Sequence, residues 1–563
     1  MSDIMKQIPF GKIMDRVLTE KEKYNTIYSV NGIYTNKQDK TLKLFKNELE
    51  NPVGPAAGPH TQLAQNLVAS YVAGGRFFEL KTVQILDGHD LHVDKPCIRA
   101  DDECYNVEWS TELYVEQALE EYVKGWFACK LVAKEFNLGD PDAIIFNMSV
   151  GYNLEGIKSS KIDGFIEGMK DARNTPYYRE CKRWALENLD RFNNVDEDFI
   201  NSITGEIVNS ITLSTMHGCP ADEIEKIVSY LMEVKGINTY LKCNPTLLGY
   251  DFVRELLDDM GYDYMVFKQE NFDHDLKFDD AVKMIKRLQD LAVKNNVDFG
   301  VKLSNTFQVS SSRNELPGDD MYMSGKALYP LTINVAYKLS EAFNGMLPMS
   351  FSGGADINNI SDIFEAGIWP ITVATILLKP TGYNRLKALA EKLDSCEFNS
   401  DRKTDTAKLK ALAQDVRTNA HYKKAAAVRA KVDNLVSFDD HKKVAIDCRV
   451  VCGSCVNVCP NRANITTIVD DKKVLMHIDD YCNECGNCYI FCPDPCTPYK
   501  DRFTLFSSSE DLKNSSNQGF AILDNNMVAY RLDGKEETCD ISKAPKIVVS
   551  FIASVKENHP YLI

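Results

Sequence analysis

Long apolar runs are missing from this chain. No stretch approaches the ~18 consecutive apolar residues that a membrane-spanning helix requires. The start, MSDIMKQIPFGKIMDRVLTEKEKYN, has no apolar core of the secretory type. Together these absences predict a cytoplasmic protein without a membrane partner. Net positive charge is missing as well: the formal net charge is −16. Such a field repels nucleic-acid phosphates and anionic lipid, so nucleic acid is not expected as a partner either. Internal repeats are absent, apart from one pair of cysteine runs. Outside those runs the cysteines are scattered (Cys97, Cys104, Cys129, Cys181, Cys219, Cys243, Cys396, Cys496 and Cys539), as reduced thiols are. What remains is an apolar share of 44% over 563 residues. That is enough for packed cores, and for either several domains or one large barrel with a small module.

The two cysteine runs carry the strongest signal. The first is Cys448, Cys452, Cys455, Cys459 and Pro460; the second is Cys482, Cys485, Cys488, Cys492 and Pro493. Three close thiolates, then a fourth followed by proline, is the pattern of bacterial ferredoxin modules with two [4Fe–4S] clusters, in which each fourth cysteine serves the other run's cluster. Cluster I is therefore assigned to Cys448, Cys452, Cys455 and Cys492, and cluster II to Cys482, Cys485, Cys488 and Cys459. Zinc knuckles do not close on two Cys-Pro steps, and disulfides suit a secreted chain. The first run departs from the pattern in having three residues between Cys448 and Cys452, an extra length that a ligand loop can absorb.

Upstream, a helical lead-in and a short strand, TLKLF, occupy residues 1–50. From about 51 to 395 apolar strand patterns alternate with amphipathic helices. Nine strand candidates stand out: NPVGPAAG, RFFELKTVQ, AIIFNMSV, NSITLSTM, NTYLKCNP, YMVFKQE, FGVKLSNTF, LPMSFSGG and PITVATILL. Such alternation predicts a parallel sheet, and the length suits a (β/α)8 TIM barrel, which takes about 250 residues or more. Nine candidates for eight places leave one surplus, expected around 264–270 and 299–306. The long stretches 84–142 and 154–205 are expected over a barrel end as lids or interfaces. The predicted division is a barrel over 1–396, a helical linker over 397–440, a small α+β ferredoxin domain over 441–500, and a β-rich tail over 501–563 with a hairpin turning at Asn525-Asn526.

Functional residues of such barrels lie at the C-terminal ends of strands. Those ends hold Ala57 and Gly58; Lys81 and Thr82; Asn147; Ser214 to Cys219; Lys242; Lys268; Asn305; Gly353 and Gly354; and Ala374 and Thr375. Glycines after a late strand let backbone N–H groups approach a phosphate, although a plain turn reads the same way. Lys81 and Lys242 end apolar strands, where an ammonium is costly unless it meets an anion or snorkels to water. A flavin accounts for both features: the glycines would take its phosphate, and a lysine would meet the charge that reduction places on the pyrimidine edge.

The segments NPVGPAAGPHTQLAQN, FFELKTVQ, LKCNPTLLG, LSNTF, MSGKALYPL and SFSGGADINNISDIFEAGIWPITVAT resemble the flavin-binding segments of the dihydroorotate dehydrogenase superfamily. A barrel followed by two clusters is similar to the C-terminal half of dihydropyrimidine dehydrogenase. Narrower still, GPAAGPHTQLAQN, ELKTVQILD, FNMSVGYNLEGIK, TLSTMHGCP, NPTLLGY and CNECGNC resemble the YgfK-type family, for which selenate reduction has been suggested. The resemblance implies FMN in the barrel, contacted by Ala57, Gly58, Lys81, Thr82, Asn147, Lys242, Asn305, Gly325, Gly353, Gly354, Ala374 and Thr375. Longer members of that family carry a glutamate-synthase-like FAD/NAD(P) module between barrel and clusters. Here only 397–440 stands in that place, so the resemblance implies a separate FAD/NAD(P)-binding subunit, in a hetero-oligomer or a dimer of heteromers. Two departures matter. Thr212 stands where pyrimidine-type relatives have a substrate-anchoring Asn, and Met216-His217-Gly218-Cys219-Pro220 runs into a helix where they carry a long catalytic loop. Both speak against orotate or uracil.

Hydride addition to C=C or C=N needs an acid on the opposite face. Cys219 and His217 are the candidates by position, with Lys242 supporting the flavin; a buried structural thiol is the plain alternative for Cys219. Lys268, Glu270, Asp273 and His274 read as a solvated run that could also line the pocket. The expected function is an iron–sulfur flavoprotein oxidoreductase subunit: FMN reduces or oxidises a small heterocycle, with purine and pyrimidine derivatives as first candidates, and the clusters relay electrons to or from the partner. The alternatives are a redox-relay or bifurcating subunit with a non-catalytic barrel, or selenate and oxyanion reduction.

Overall fold

The computed structural model describes residues 4–37, 39–107, 110–214, 218–425, 448, 451–494, 496–524 and 526–563. Among them, eight strands form one parallel sheet: β1 (Val53–Pro55), β2 (Phe77–Glu79), β3 (Ile145–Gly151), β4 (Val208–Ser214), β5 (Asn238–Cys243), β6 (Phe299–Leu303), β7 (Met349–Phe351) and β8 (Ile371–Val373). Their order, β1-β8-β7-β6-β5-β4-β3-β2, is that of a (β/α)8 barrel, closed where β1 meets β2. At that seam the Arg76 N–H donates to the Val53 carbonyl at 2.9 Å. Gly54 lies so close that a Cβ there would sit 1.7 Å from the Phe77 oxygen, so the seam admits only glycine. Arg76 is buried and anchors the closure through an ion pair with Glu50 and bonds to the carbonyls of Tyr71 and Leu138 at 2.9 and 3.0 Å.

Every residue of β3 and β6 is buried, as strands covered on both faces by helices require. The helices supply the cover by 3.6-residue periodicity. Ala221–Glu233 buries Ile224, Ile227, Val228, Leu231 and Met232, and Phe278–Asn295 buries Ala281, Met284, Ile285, Leu288 and Ala292. The surplus strand candidate is YMVFKQE. Residues 264–268 form a loop in which Phe267 packs on Phe272 and Phe307, and Gln269 opens the short helix Gln269–His274. Its apolar spacing thus reflects a loop folded onto the barrel, and 299–303 is the true strand.

The two long insertions behave differently. Residues 98–106 pair with 307–324 in a four-stranded antiparallel sheet, ordered Phe307–Ser310, Asp320–Ser324, Cys104–Asn106, Ile98–Ala100, which roofs the barrel mouth. The stretch 154–205 does not reach the mouth. Its helices Ser160–Lys170 and Pro176–Glu187 pack on the long helix Val115–Phe136, with Tyr178 against Phe127 and Trp184 against Phe10. Helix Thr406–Asp415, within the segment read as a linker, packs on helix Tyr329–Ala342 and buries Leu409; residues 426–447 lie outside the described ones.

The cysteine module and the tail share one sheet. Strands β9 (Asn464–Val469), β10 (Lys472–Ile478), β11 (Thr504–Phe506), β12 (Gly519–Ile522), β13 (Met527–Leu532) and β14 (Lys535–Asp540) lie side by side in chain order. β12 and β13 are antiparallel, as their sequence pattern predicted, although Asn525 itself lies outside the described residues. Helix Lys546–Asn558 covers the sheet, with Phe551 against Phe503 and Phe520. No helix among the described residues is long and apolar enough to cross a membrane.

Candidate active site and cluster module

A cavity of about 640 Å³ opens at the C-terminal ends of the strands, beneath the roof. At one end Gly353 and Gly354 follow β7, and Ala374 and Thr375 follow β8. The N–H groups of Gly353 and Gly354 have no acceptor among the described residues. Gly325 completes this end. It has φ +76°, and a Cβ on it would lie 2.8 Å from Thr375 Cγ2; Gly354, at φ +82°, approaches so closely that its Cβ would lie 2.4 Å from the Gly325 oxygen. Three loops therefore meet at a backbone-lined cradle that side chains would block.

At the other end the cavity floor is charged. Glu79, Lys81 and Lys242 line it, beside Ala57, Gly58 and Thr82. Below them Lys302 makes an ion pair with Glu79 and donates to Thr372 Oγ1 at 2.9 Å. Burial, together with the cations Lys302 and Lys81, pulls Lys242 down to about 8 against the raising effect of Glu79. Glu79 is held below the usual carboxylate range: Lys302 and Lys242 outweigh its burial. Its second oxygen, Oε1, is buried without a hydrogen-bond partner among the described residues. Glu79 and Lys302 escaped the sequence reading, although Glu79 lies two residues before Lys81 and strand alternation puts the two on one face.

Asn305, also lining the cavity, donates from Nδ2 to Asn244 Oδ1 at 3.0 Å. Asn244 in turn donates to Asp275 Oδ2 at 2.9 Å, Thr246 Oγ1 to the same oxygen at 2.7 Å, and the Gly218 N–H to Asp275 Oδ1 at 2.8 Å. One buried carboxylate thus fastens the loops after β4 and β5 and, through Asn244, the one after β6. Cys219 follows Gly218 and is half-buried outside the cavity lining. Burial, with Glu223, Asp275 and Asp222 nearby, pushes its thiol up to about 11. His217 lies outside the described residues. Asn147 is buried away from the cavity and donates to Thr212 Oγ1 at 2.8 Å. Lys268 is exposed beside Asp320, and Glu270, Asp273 and His274 fall in the short helix that follows.

The cysteines gather across the two runs. Burial, and then Cys492, Cys448 and Cys452, raise the Cys455 thiol to about 12, so these four are neighbours. Cys459, Cys482, Cys485 and Cys488 line a second, small cavity with Pro460 and Tyr499. Backbone N–H groups point at the sulfurs: Val451 to Cys448 at 3.2 Å, Ala463 to Cys459 at 3.3 Å and Glu484 to Cys482 at 3.3 Å. Such N–H···S bonds suit thiolates sharing charge with a cluster. The walls of the two cavities touch. The N–H groups of Cys97 and Ile98 both donate to the Cys485 carbonyl, at 3.1 and 2.9 Å. Ile98, Cys104 and Leu378 line the barrel cavity and form one apolar cluster with Cys485.

The model for "Oxidoreductase YgfK, N-terminal TIM-barrel domain" matches residues 28–424. The chain belongs to the YgfK oxidoreductase family. A "4Fe-4S dicluster domain" model matches residues 442–516, so this YgfK-family chain joins its barrel to an iron–sulfur module. The curated YgfK proteins of Escherichia coli K12 and Escherichia coli O157:H7 are each 47% identical to it over 438 residues, covering 75% of this chain and 42% of theirs. This YgfK-family chain therefore matches less than half the length of those relatives. Among solved structures, DHODH from Eimeria tenella in complex with ferulenol is 14% identical with a TM-score of 0.40, covering 67% of this chain and 89% of that one.

Proposed function

We propose that this chain is the substrate-transforming subunit of an iron–sulfur flavoprotein oxidoreductase. FMN is held in the barrel cavity, and electrons pass between it and a separate glutamate-synthase-like FAD/NAD(P) subunit. The observation that carries this reading is the apolar bridge of Ile98, Cys104 and Leu378 between the barrel cavity and the cluster II ligand Cys485. A redox cofactor with no path to the clusters would have no use for them. The residues present fit a flavin: a backbone cradle suits the phosphate, and an unpartnered Glu79 oxygen and the Lys242 ammonium suit the polar edge of a ring. When bound, FMN supplies hydride transfer to or from a small heterocycle, and the clusters supply single-electron transfer.

The chain's own residues then have distinct work. Gly353, Gly354, Ala374 and Thr375 bind the phosphate, and Lys242 faces the pyrimidine edge. Asn305 is held in place through Asn244 and Asp275. The roof strands cover the mouth, so that a flavin seated beneath them would displace water and strengthen each electrostatic contact there. Cys219 lies outside the cavity lining, beside the loop that Asp275 fastens through Gly218; with its thiol pushed up to about 11 it stays protonated at neutral pH and is the proton donor proposed for the substrate. Cluster II is the inner cluster. Cluster I, whose Cys452 is exposed, is the outer one, where the partner subunit docks. Protein purified without oxygen is expected to hold one FMN and about eight iron atoms, four per cluster. Its flavin should bleach with a dihydropyrimidine or a reduced purine, or be reoxidised by the corresponding unsaturated base. A Cys219→Ser variant keeps flavin and iron and loses turnover. Iron-replete protein that binds no flavin would refute the reading.

A further inference from the structure

The cavity floor sets two ammonium groups against one carboxylate. Lys242 and Lys302 are register partners on β5 and β6, so both enter the barrel at one height. Lys302 takes the carboxylate: it pairs directly with Glu79 and is fixed from a second side by Thr372. Lys302 lies out of the cavity lining, whereas Glu79 and Lys242 both belong to it. Lys242 interacts with Glu79, Lys302 and Lys81 only at range, and makes no hydrogen bond among the described residues. With Glu79 already paired to Lys302, keeping the Lys242 ammonium at this floor is unfavourable unless a ligand brings an anion to it.

We propose that Lys302 is a positioning residue, which occupies Glu79 so that Lys242 stays unpaired and presents its ammonium to an anionic edge of the ligand in the cavity. This rests on the flavin reading, in which that edge is the pyrimidine side of the ring. Without Lys302 the buried Glu79 carboxylate is left with Lys242, the other cation that acts on it from the same cavity lining. The two then pair, and the ammonium turns away from the ligand.

Sulfite binding to the oxidised holoprotein tests this. Sulfite adds its lone pair to the flavin ring, no bond to a leaving group breaks, and negative charge appears on the pyrimidine edge; bleaching of the visible flavin band reports the affinity. Lys302→Met should retain flavin and iron while its sulfite Kd rises at least about tenfold, toward the value for Lys242→Met. The double variant Glu79→Gln/Lys302→Met should recover affinity to within about threefold of wild type, because no carboxylate is left to capture Lys242. A purely structural Lys302 would not be rescued by removing its own partner. Glu79→Gln alone should bind sulfite at least as tightly as wild type, which keeps the test open should Lys302→Met fold poorly. The inference is overturned if Lys302→Met matches wild type while Lys242→Met is impaired, if the double variant is not rescued, or if Glu79→Gln weakens sulfite. If Lys242→Met itself binds sulfite normally, the placement of Lys242 beside the pyrimidine edge fails instead. Wild-type protein without flavin fails the functional reading as a whole.

Discussion

Replacing Lys242 by Met should make the flavin-free protein more stable, although it removes a residue assigned to the site. The ammonium is held at about 8 in the folded chain, against roughly 10.4 when unfolded. A depressed lysine is a destabilising charge: below pH 8 both states are protonated and the folded one bears the full penalty. Between pH 8 and 10.4 the folded state releases its proton first, the unfolded state binds more protons, and stability rises with pH. At about 1.4 kcal/mol per unit, the gap amounts to roughly 3 kcal/mol at pH 6.5 and falls to about 1.4 kcal/mol at pH 9.5. These are upper figures, because the ammonium faces a cavity that water can enter. Unfolding entropy of roughly 2.1 cal/mol/K per residue over about 350 residues converts 3 kcal/mol to about 4 °C. The assay is calorimetry of flavin-free wild type and Lys242→Met, following the barrel transition at the two pH values. A variant Tm at or below that of wild type at pH 6.5, or a gain that grows with pH, would refute the reasoning. Flavin affinity should move the opposite way, down at least about tenfold.

Three further outcomes follow from the geometry. Gly354→Ala puts a Cβ 2.4 Å from the Gly325 oxygen at a φ of +82°, so FMN retention should fall at least about tenfold with iron unchanged, as read by flavin release on gel filtration; roughly 1–3 kcal/mol of backbone strain accompanies it. Cys459→Ser, in the first run, should remove the cluster shared with the second run, halving iron and leaving one cluster signal in low-temperature EPR of the reduced protein. Asp275→Ala strips the buried acceptor from Gly218, Asn244 and Thr246; a loss of about 2–4 kcal/mol in barrel stability is expected by chemical denaturation, with slowed turnover and intact clusters.

The elements legible in the sequence were those in which a single local rule decides. The cysteine spacing carried the cluster module without help from the fold, because ligand number and loop length fix that pattern. Eight of nine strand candidates became barrel strands, because buried parallel strands read as apolar runs. YMVFKQE misled for the same reason: an apolar loop packed under Phe272 has the composition of a strand. The glycine and lysine positions at the mouth were legible because a barrel's strand ends are its functional end. Glu79 and Lys302 were not, since their meaning lies in a meeting across the barrel that no local window contains. Nor were the roof strands at 98–106 and 307–324: they are short, more than 200 residues apart, and defined only by pairing with each other. The destination of 154–205 was equally non-local, set by the aromatic contacts of Trp184 and Tyr178 with the first and longest helices.

The two hydrogen bonds from Cys97 and Ile98 to the Cys485 carbonyl bear on the order in which the molecule is finished. Ile98 opens an outermost strand of the roof, and its free edge is tied to the loop that carries the proposed cluster II ligand Cys485. Loading of the inner cluster is thus expected to precede sealing of the barrel mouth, and an oxidant that dismantles that cluster would also unlatch the roof above the cavity. Amide exchange at Ile98 would show it: slow in iron-replete protein, and faster once the cluster is lost, with the β3 and β4 amides unaffected. Metal insertion would then act as a quality check, since a chain lacking its electron path would be left with an open mouth and a poorly retained cofactor.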